Sequence, residues 1–555
     1  MQRASLPRSC RAMKTLKTLS SIAIPIALIC LIGACDSDIA GERLENLPPE
    51  TDLAVRDSSL VDNLESGERL TSTVVVSWTG DDPDGFVSSF DLRFFAFGET
   101  PAKDDLWTGT TANDTLILLP IPPGEKFANV VFEARAIDNE GLVDPTPART
   151  VFPIRNAPPT IRFSTFELAP DTTFALFSFA WVADDPEGPA NLDRIDVSLN
   201  DSLNFVSLPS DVEFVTFVGD VDRADIGQTE TTARMFFGRS FRASGLDVPG
   251  LRLGQDNTIY IRSVDKTDTT SAVESHVWHV KKSRGDLLYV NDYRKSSYKT
   301  VQNFHIALLR DYLPDGYAID YWDISTPFVS GSAGGTPRSG LIPPALDPTL
   351  RQALADYNYV YWVATSTTGN IAGDNLPFVA GATDLFFEQG GKMMVHSPIA
   401  LPANPEDIVG NPALLLLPLS GLVSFPDTLR PALRMSVNSP ISPTSVVPGL
   451  SVQLPALKSS AFFLNTLPFE AEGANVIPLA DGAYTYVTRV GGRQGPWFGS
   501  STIASISADR RVGLFGLPLV NEQSGAQNLV GADGDVNAPT QAIRLMLESL
   551  GFPRR

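Results

Sequence analysis

The chain reads as a multidomain protein: two all-β sandwiches in tandem, then a doubly wound α/β domain. Three observations predict this. Between residues 47 and 283, short alternating segments bounded by turn residues run without helical periodicity. The pattern also repeats, because Trp78-Thr79-Gly80-Asp81-Asp82-Pro83-Asp84-Gly85 returns 103 residues later as Trp181-Val182-Ala183-Asp184-Asp185-Pro186-Glu187-Gly188. At Gly285 the texture changes to short apolar runs alternating with helical stretches, the pattern of parallel strands covered by helices. With 43% apolar residues, including 31 Phe, the 555-residue chain has ample material for several cores.

The first segment is a leader. Met13-Lys14-Thr15-Leu16-Lys17 is a short basic head, and Leu19–Leu31 is apolar apart from Ser20, Ser21 and Pro25. That run is short for a membrane span and fits a secretory signal, with translation starting at Met1 or at Met13. Ile32-Gly33-Ala34-Cys35 closes it: a branched aliphatic residue, two small residues and a cysteine. This segment resembles the processing box of bacterial lipoproteins. The resemblance implies removal of residues 1–34 and acylation of Cys35 by palmitate-type chains, with attachment to a membrane of the bacterial cell envelope. The outer membrane and the periplasmic face of the inner membrane are both open, as is surface exposure. Each buried methylene of such chains contributes about 0.8 kcal/mol, so several chains together hold firmly.

Cysteine usage agrees with export. Of Cys10, Cys30 and Cys35, only the last survives this cleavage, which leaves no disulfide and no thiolate metal site. The leader carries five basic residues and no acids, so the net charge of −21 becomes −26 in the processed chain. An acidic protein of this kind is a poor partner for nucleic acid. Beyond Cys35 no apolar run approaches membrane-spanning length.

Residues 35–46 are polar and aperiodic, a tether. Modules follow at 47–156 and 157–283, each opening on a Pro-Pro pair, Pro48-Pro49 and Pro158-Pro159. In the first, Thr73–Trp78, Ser88–Phe95, Thr115–Leu119, Val130–Ala136 and Thr150–Ile154 are strand-length and apolar-rich. The ending Phe132-Glu133-Ala134-Arg135-Ala136-Ile137-Asp138 returns as Tyr260-Ile261-Arg262-Ser263-Val264-Asp265. The tryptophan before an acidic turn, with this later strand, resembles immunoglobulin-like and fibronectin type III modules. That resemblance implies a sandwich and names no ligand.

The acidic turns suit two readings. Asp81, Asp82 and Asp84, with Asp138 in a neighbouring loop, would present clustered hard oxygens to Ca²⁺. Asp-Pro-Asp-Gly is also good turn chemistry without any metal, since Pro presets φ, Asp bonds the local backbone and Gly accepts positive φ. No other cofactor is expected.

In residues 284–555, Asp286–Asn291, Tyr317–Ile324, Tyr359–Ala364, Lys392–His396 and Arg511–Leu519 read as strands. Ser297–Leu313, Pro348–Tyr357, Leu376–Gln389 and Pro539–Leu550 read as helices, with Asp347 capping the second. Residues 398–468 are rich in proline and poor in element signals, an irregular insertion or lid. The first strand, Tyr359–Ala364, the join Phe386-Phe387-Glu388-Gln389-Gly390-Gly391-Lys392 and the late Val512–Leu519 resemble the class I glutamine amidotransferase-like fold, related in layout to flavodoxin. The family's nucleophile position here reads Val395-His396-Ser397-Pro398-Ile399, without a cysteine, and no histidine precedes Pro518. The resemblance therefore implies the fold and withholds the amidotransferase chemistry.

The carboxyl ends of the parallel strands hold Asn291, Asp292, Asp323, Thr365–Thr368, His396 and Ser397. Two functions follow from this. The favoured one is a noncatalytic, lipid-anchored scaffold or binder of envelope glycan or protein. The other is an envelope hydrolase acting on carbohydrate or peptide through Ser397, Asp292 and Asp323, with His305 as the nearest base. His305 is expected at the surface or the edge of the core.

Overall fold

A computed structural model describes residues 45–55, 69–102, 105–122, 124–165, 167–293, 297–324, 348–365, 375–400 and 412–555. The leader, Cys35, most of the tether, Asp347 and residues 366–368 lie outside the described residues.

The first module is a sandwich of two sheets. Glu50–Val55, Thr73–Asp81 and Asp114–Leu118 form one; Leu70–Thr71, Ala148–Arg155, Phe127–Asp138, Val87–Ala96 and Thr108–Thr110 form the other in that order. All pairings are antiparallel except the short Leu70–Thr71 edge, which runs parallel to Ala148–Arg155. Period-two alternation turns Val74, Val76 and Trp78 inward, where Trp78 meets Phe90 and Phe132 at 6.4 and 6.2 Å between ring centroids. This is an immunoglobulin-like, fibronectin type III-like arrangement of strands.

The second module repeats it. Arg242–Arg252, Glu230–Phe237, Phe214–Gly219, Leu176–Asp184 and Thr160–Phe163 form one sheet; Thr172–Thr173, Glu274–Val280, Gln255–Asp265, Leu192–Leu199 and Val206–Pro209 form the other. Its core is aromatic, with Phe177 stacked on Phe217 at 5.2 Å and Trp278 4.8 Å from Phe177. Residues 218–254, which have no counterpart in the first module, supply the hairpin Glu230–Phe237/Arg242–Arg252 that widens its first sheet.

The C-terminal part is built on one mixed sheet. Ile319–Asp323, Leu287–Asp292, Tyr359–Ala364, Lys392–His396 and Val512–Phe515 lie side by side, all parallel. The sheet then continues antiparallel through Thr502–Ser507, Val476–Gly482, Pro440–Pro443, Leu457–Ser459 and Leu529–Gly531. The parallel strands are apolar on both faces, as a sheet covered on both sides requires. Helix Tyr298–Tyr312 sets His305 against Tyr361 on one face, and helix Pro348–Ala355 sets Leu354 near Leu288 on the other.

Two expectations need correction. Of the expected irregular insertion or lid at 398–468, the described residues 412–468 are not irregular: Leu429–Ser436, Pro440–Pro443, Leu457–Ser459 and shorter strands within them join the mixed sheet and a second four-stranded sheet. Their prolines sit at strand ends and irregular pairings, where no ladder N–H is lost, so proline density hid real strands. Leu376–Gln389 is two short helices, Leu376–Ala380 and Asp384–Glu388. Gly381 stands at the break, and the Thr383 hydroxyl donates to the Ala380 carbonyl at 2.9 Å, competing with helix continuation.

The second sandwich abuts this part. Phe174 lies 5.9 Å from Tyr357, the Ser178 and Thr349 hydroxyls are hydrogen-bonded, and Arg223 pairs with Asp356 at 2.5 Å. Lys281 donates to the Tyr321 carbonyl at 3.2 Å, and burial lowers its pKa.

Candidate functional site

The parallel strands place their carboxyl-end residues by parity. Asn291 pairs with Asp323 in register and shares its face, whereas Asp292 faces the opposite side with Trp362. The Asn291 amide donates to Asp323 Oδ1 at 3.2 Å. Asp292 is fully buried; Asn375 donates to its Oδ1 at 2.8 Å and the Trp362 indole to its Oδ2 at 3.3 Å. Asn375 also donates to the Ile324 carbonyl at 2.8 Å, so Asp292 anchors a joint between two strand ends and a helix start.

Ser397 is fully buried as well, and its hydroxyl is directed to the Pro398 carbonyl at 3.4 Å. The three residues proposed for hydrolysis thus lie without a shared reacting point: Asp292 and Asp323 take opposite faces, and the Ser397 strand is separated from theirs by Tyr359–Ala364. Asp292 is committed to Asn375 and Trp362, and Ser397 turns toward its own backbone neighbour.

The histidines come together instead. His396 stacks on Phe515 with centroids 5.4 Å apart, and its ring lies 4.5 Å from that of His305. His305 shares a hydrogen bond of 2.8 Å between Nδ1 and the Tyr361 hydroxyl. Burial holds His396 down to about 3; burial and the neighbouring His396 hold His305 well below the usual imidazole range. Both are neutral at pH 7. They border a small cavity with Tyr293, Val363 and Pro518, and the Tyr293 hydroxyl donates to Glu522. His305 is therefore core rather than surface. The signal was in the sequence: Val301, His305, Leu308, Leu309 and Tyr312 are the buried stripe of one helix.

The acidic turns also resolve into specific contacts. Asp81 is exposed at the end of its strand, opposite Glu50. Asp84 accepts the Leu47 N–H at 3.2 Å, and Asp82 Oδ1 accepts the Asp84 N–H at 3.3 Å. Asp138 Oδ1 accepts the Glu140 and Leu142 N–H groups at 2.8 Å each, and its Oδ2 takes the Asn46 amide. The contacts of Asp82, Asp84 and Asp138 are those of turn and main-chain bonding, the second of the two readings of these turns. Among the described residues no group of three or more His, Cys, Asp or Glu side chains is placed to hold a metal ion.

The second module copies these bonds. Asn156 bonds Asp265 as Asn46 bonds Asp138, and Glu187 accepts the Ala157 N–H at 2.9 Å as Asp84 accepts that of Leu47. The repeat unit therefore begins at Asn-x-Pro-Pro, two residues before each Pro-Pro pair. Burial, reinforced by Glu187 alongside, pushes Asp185 up to about 6.

No family model matches the chain, and no curated protein sequence matches it. Among solved structures, it is similar to the fibronectin(III)-like modules of Clostridium thermocellum CbhA, with 14% identity over 42% of this chain and 96% of that one, TM-score 0.16. It is similar to the chicken interferon gamma receptor alpha chain, with 13% identity over 42% and 98% of the two chains, TM-score 0.20. The FN1–FN3 domains of chicken CNTN1 give 10% identity over 43% and 70%, TM-score 0.15. Scores this low carry no argument, and the assignment of the two modules rests on their strand pairing. No helix among the described residues is long and apolar enough to cross a membrane.

Proposed function

We propose that the protein is a lipid-anchored component of the bacterial cell envelope in which two sandwich modules carry a noncatalytic α/β head that binds an envelope glycan or protein. The leader ending in Cys35 supports the anchor, and the acidic net charge supports a partner other than nucleic acid. The head is of the doubly wound, amidotransferase-like kind. Its support is the parallel strand order, second-first-third-fourth-fifth in chain sequence, which is the order of flavodoxin-like sheets.

One observation carries the noncatalytic reading: Ser397, at the position of the family's nucleophile, is fully buried and aimed at the Pro398 carbonyl. A nucleophile needs a base within about 3.2 Å and an exposed approach for substrate, and Ser397 is shielded from any approach. Cell fractionation tests the anchor. Cys35→Ala is expected to move the protein from the membrane to the soluble fraction, and retention in the membrane would refute lipidation. For the head, Ser397→Ala should leave binding of isolated envelope glycan or envelope protein unchanged. Hydrolysis of a glycan or peptide that is lost in Ser397→Ala would establish the enzyme instead.

A further inference from the structure

The four-stranded sheet of the head presents both aromatic rings and guanidinium groups to solvent. Its strands are Phe463–Leu464, Leu429–Ser436, Thr485–Thr488 and Gln494–Pro496. Phe498, 69% exposed, stacks on Trp497 with centroids 5.0 Å apart and meets Tyr486 at 5.9 Å, and Phe425 lies 5.4 Å from Trp497. Two glycines make room for these rings. A Cβ on Gly495, which pairs with Tyr486 across the hairpin, would lie 2.6 Å from the Tyr486 hydroxyl oxygen, and one on Gly499 would lie 2.5 Å from the Trp497 indole. The indole N–H is already given to the Ser500 carbonyl at 2.8 Å, so Trp497 has only its carbon surface to offer a partner.

Arginines stand at one end of the same sheet. Arg430, Arg489 and Arg493 are all exposed there, beside the pairing of Leu429 with Thr488. Residues 428–436 and 485–500 contain no acid, and none of the three arginines has a carboxylate partner among the described residues. The turn that carries two of them is ordered. The Thr488 hydroxyl accepts the Arg493 N–H at 2.9 Å and donates to the Val490 carbonyl at 2.8 Å, and Arg489 Nε donates to the Leu429 carbonyl at 2.8 Å. A chain of net charge −21 repels polyanions over most of its surface, so unpaired guanidinium groups gathered at one place mark where a polyanion can land. Exposed rings beside them suit the apolar C–H face of a sugar, and guanidinium groups suit carboxylates, which they grip bidentately. Three residues of chain separate Tyr486 from Arg489, about 10 Å of strand, which favours an extended ligand over a single ion. We propose that this sheet binds an acidic polysaccharide, with sugar rings against Phe498 and Trp497 and carboxylates on Arg489 and Arg493. The site rests on the reading of the head as a binder of envelope glycan and gives that glycan its charge. Fixed rings and an ordered turn lower the cost of ordering on binding.

The test titrates the purified full chain with polygalacturonate, with neutral dextran and with the isolated envelope glycan fraction, binding being read by calorimetry. The expected result is saturable binding of polygalacturonate that fades as salt rises toward about 0.5 M, with dextran at least about tenfold weaker. Phe498→Ala and Arg493→Glu, both at exposed side chains, should each weaken polygalacturonate at least about tenfold while the unfolding temperature stays unchanged. Equal binding by both variants would overturn the site and leave the head a glycan binder through another surface. Binding of the envelope fraction without any binding of polygalacturonate would overturn the acidic chemistry alone. Binding of none of the three would overturn the site together with the glycan reading on which it rests. Tighter binding of single-stranded DNA or of phosphatidylglycerol vesicles than of polygalacturonate would also overturn it, and would assign the patch to that partner.

Discussion

Arg135 lies directly across the sheet from Asp91 and donates to one carboxylate oxygen at 2.8 Å, with the Trp107 ring 4.1 Å from its guanidinium carbon. Arg93, on the other side, stands 4.1 Å from the same ring and pairs with Glu133 at 2.7 Å. The indole is thus held between two guanidinium groups, each neutralised across the strands. The second module places Arg262 opposite Asp196 at 2.8 Å and 4.3 Å from the Phe205 ring. The outer face of each sandwich is locked by the same cross-strand device.

Arg135→Ala leaves Asp91 without its guanidinium partner in a pair whose side chains are only 13% and 17% exposed. It should destabilise the first module by about 1–3 kcal/mol. Trp107→Ala, which removes both ring contacts, should cost about 1–2 kcal/mol. Urea unfolding followed by tryptophan fluorescence of the remaining indoles checks both. An unchanged midpoint for Arg135→Ala would show that the ladder is ornamental.

Asn375 is the linchpin of the strand ends, because its amide serves both Asp292 and the Ile324 carbonyl. Asn375→Ala leaves a fully buried carboxylate short of a donor and should cost about 2–3 kcal/mol. Asn375→Asp should be worse, since it sets two carboxylates together in a buried site. Differential scanning calorimetry ranks the two, and the reverse order would mean that Asp292 is held by other donors.

The buried imidazoles make stability fall in acid. His396 titrates near 3 when folded and at 6.5 when unfolded, so between those values the unfolded chain binds the extra proton. Stability is therefore full above pH 6.5 and is lost as pH falls toward 3. Asp185 acts with the opposite sign: its pKa rises from 3.8 to about 6 on folding, so its contribution declines as pH rises through that window. The difference between the native protein and His396→Gln isolates the histidine. The variant should lose less stability between pH 7 and pH 5, and identical pH profiles would contradict the assignment.

Ser397→Ala removes one long hydrogen bond from a buried hydroxyl, so its effect on stability should stay below about 1 kcal/mol. A larger loss, read from the thermal midpoint, would mean that the hydroxyl holds a stronger partner than the Pro398 carbonyl.

Much of this architecture could be read from residue order. Period-two alternation located the strands around Trp78 and Phe132, and the 103-residue echo of Trp78 in Trp181 announced the second module. Short apolar runs located the parallel strands. The strands within 398–468 were hidden because they are short, proline-bearing and defined by partners distant in sequence, such as Pro440–Pro443 against Val476–Gly482. Local propensity cannot encode such non-local pairing. The acidic turns were visible as turns, but their bonds to Asn46 and Asn156 depend on the chain entering each module at one angle.

Sequence alone determined the internal repeat, the change of texture at Gly285 and the absence of a cysteine from Val395–Ile399, because these are properties of residue order and type. Only the tertiary structure decided what the chemistry-bearing side chains do. Their roles depend on which face of a strand each occupies and on what covers that face. Parity and burial turned Asp292 into a joint and brought His305 to His396.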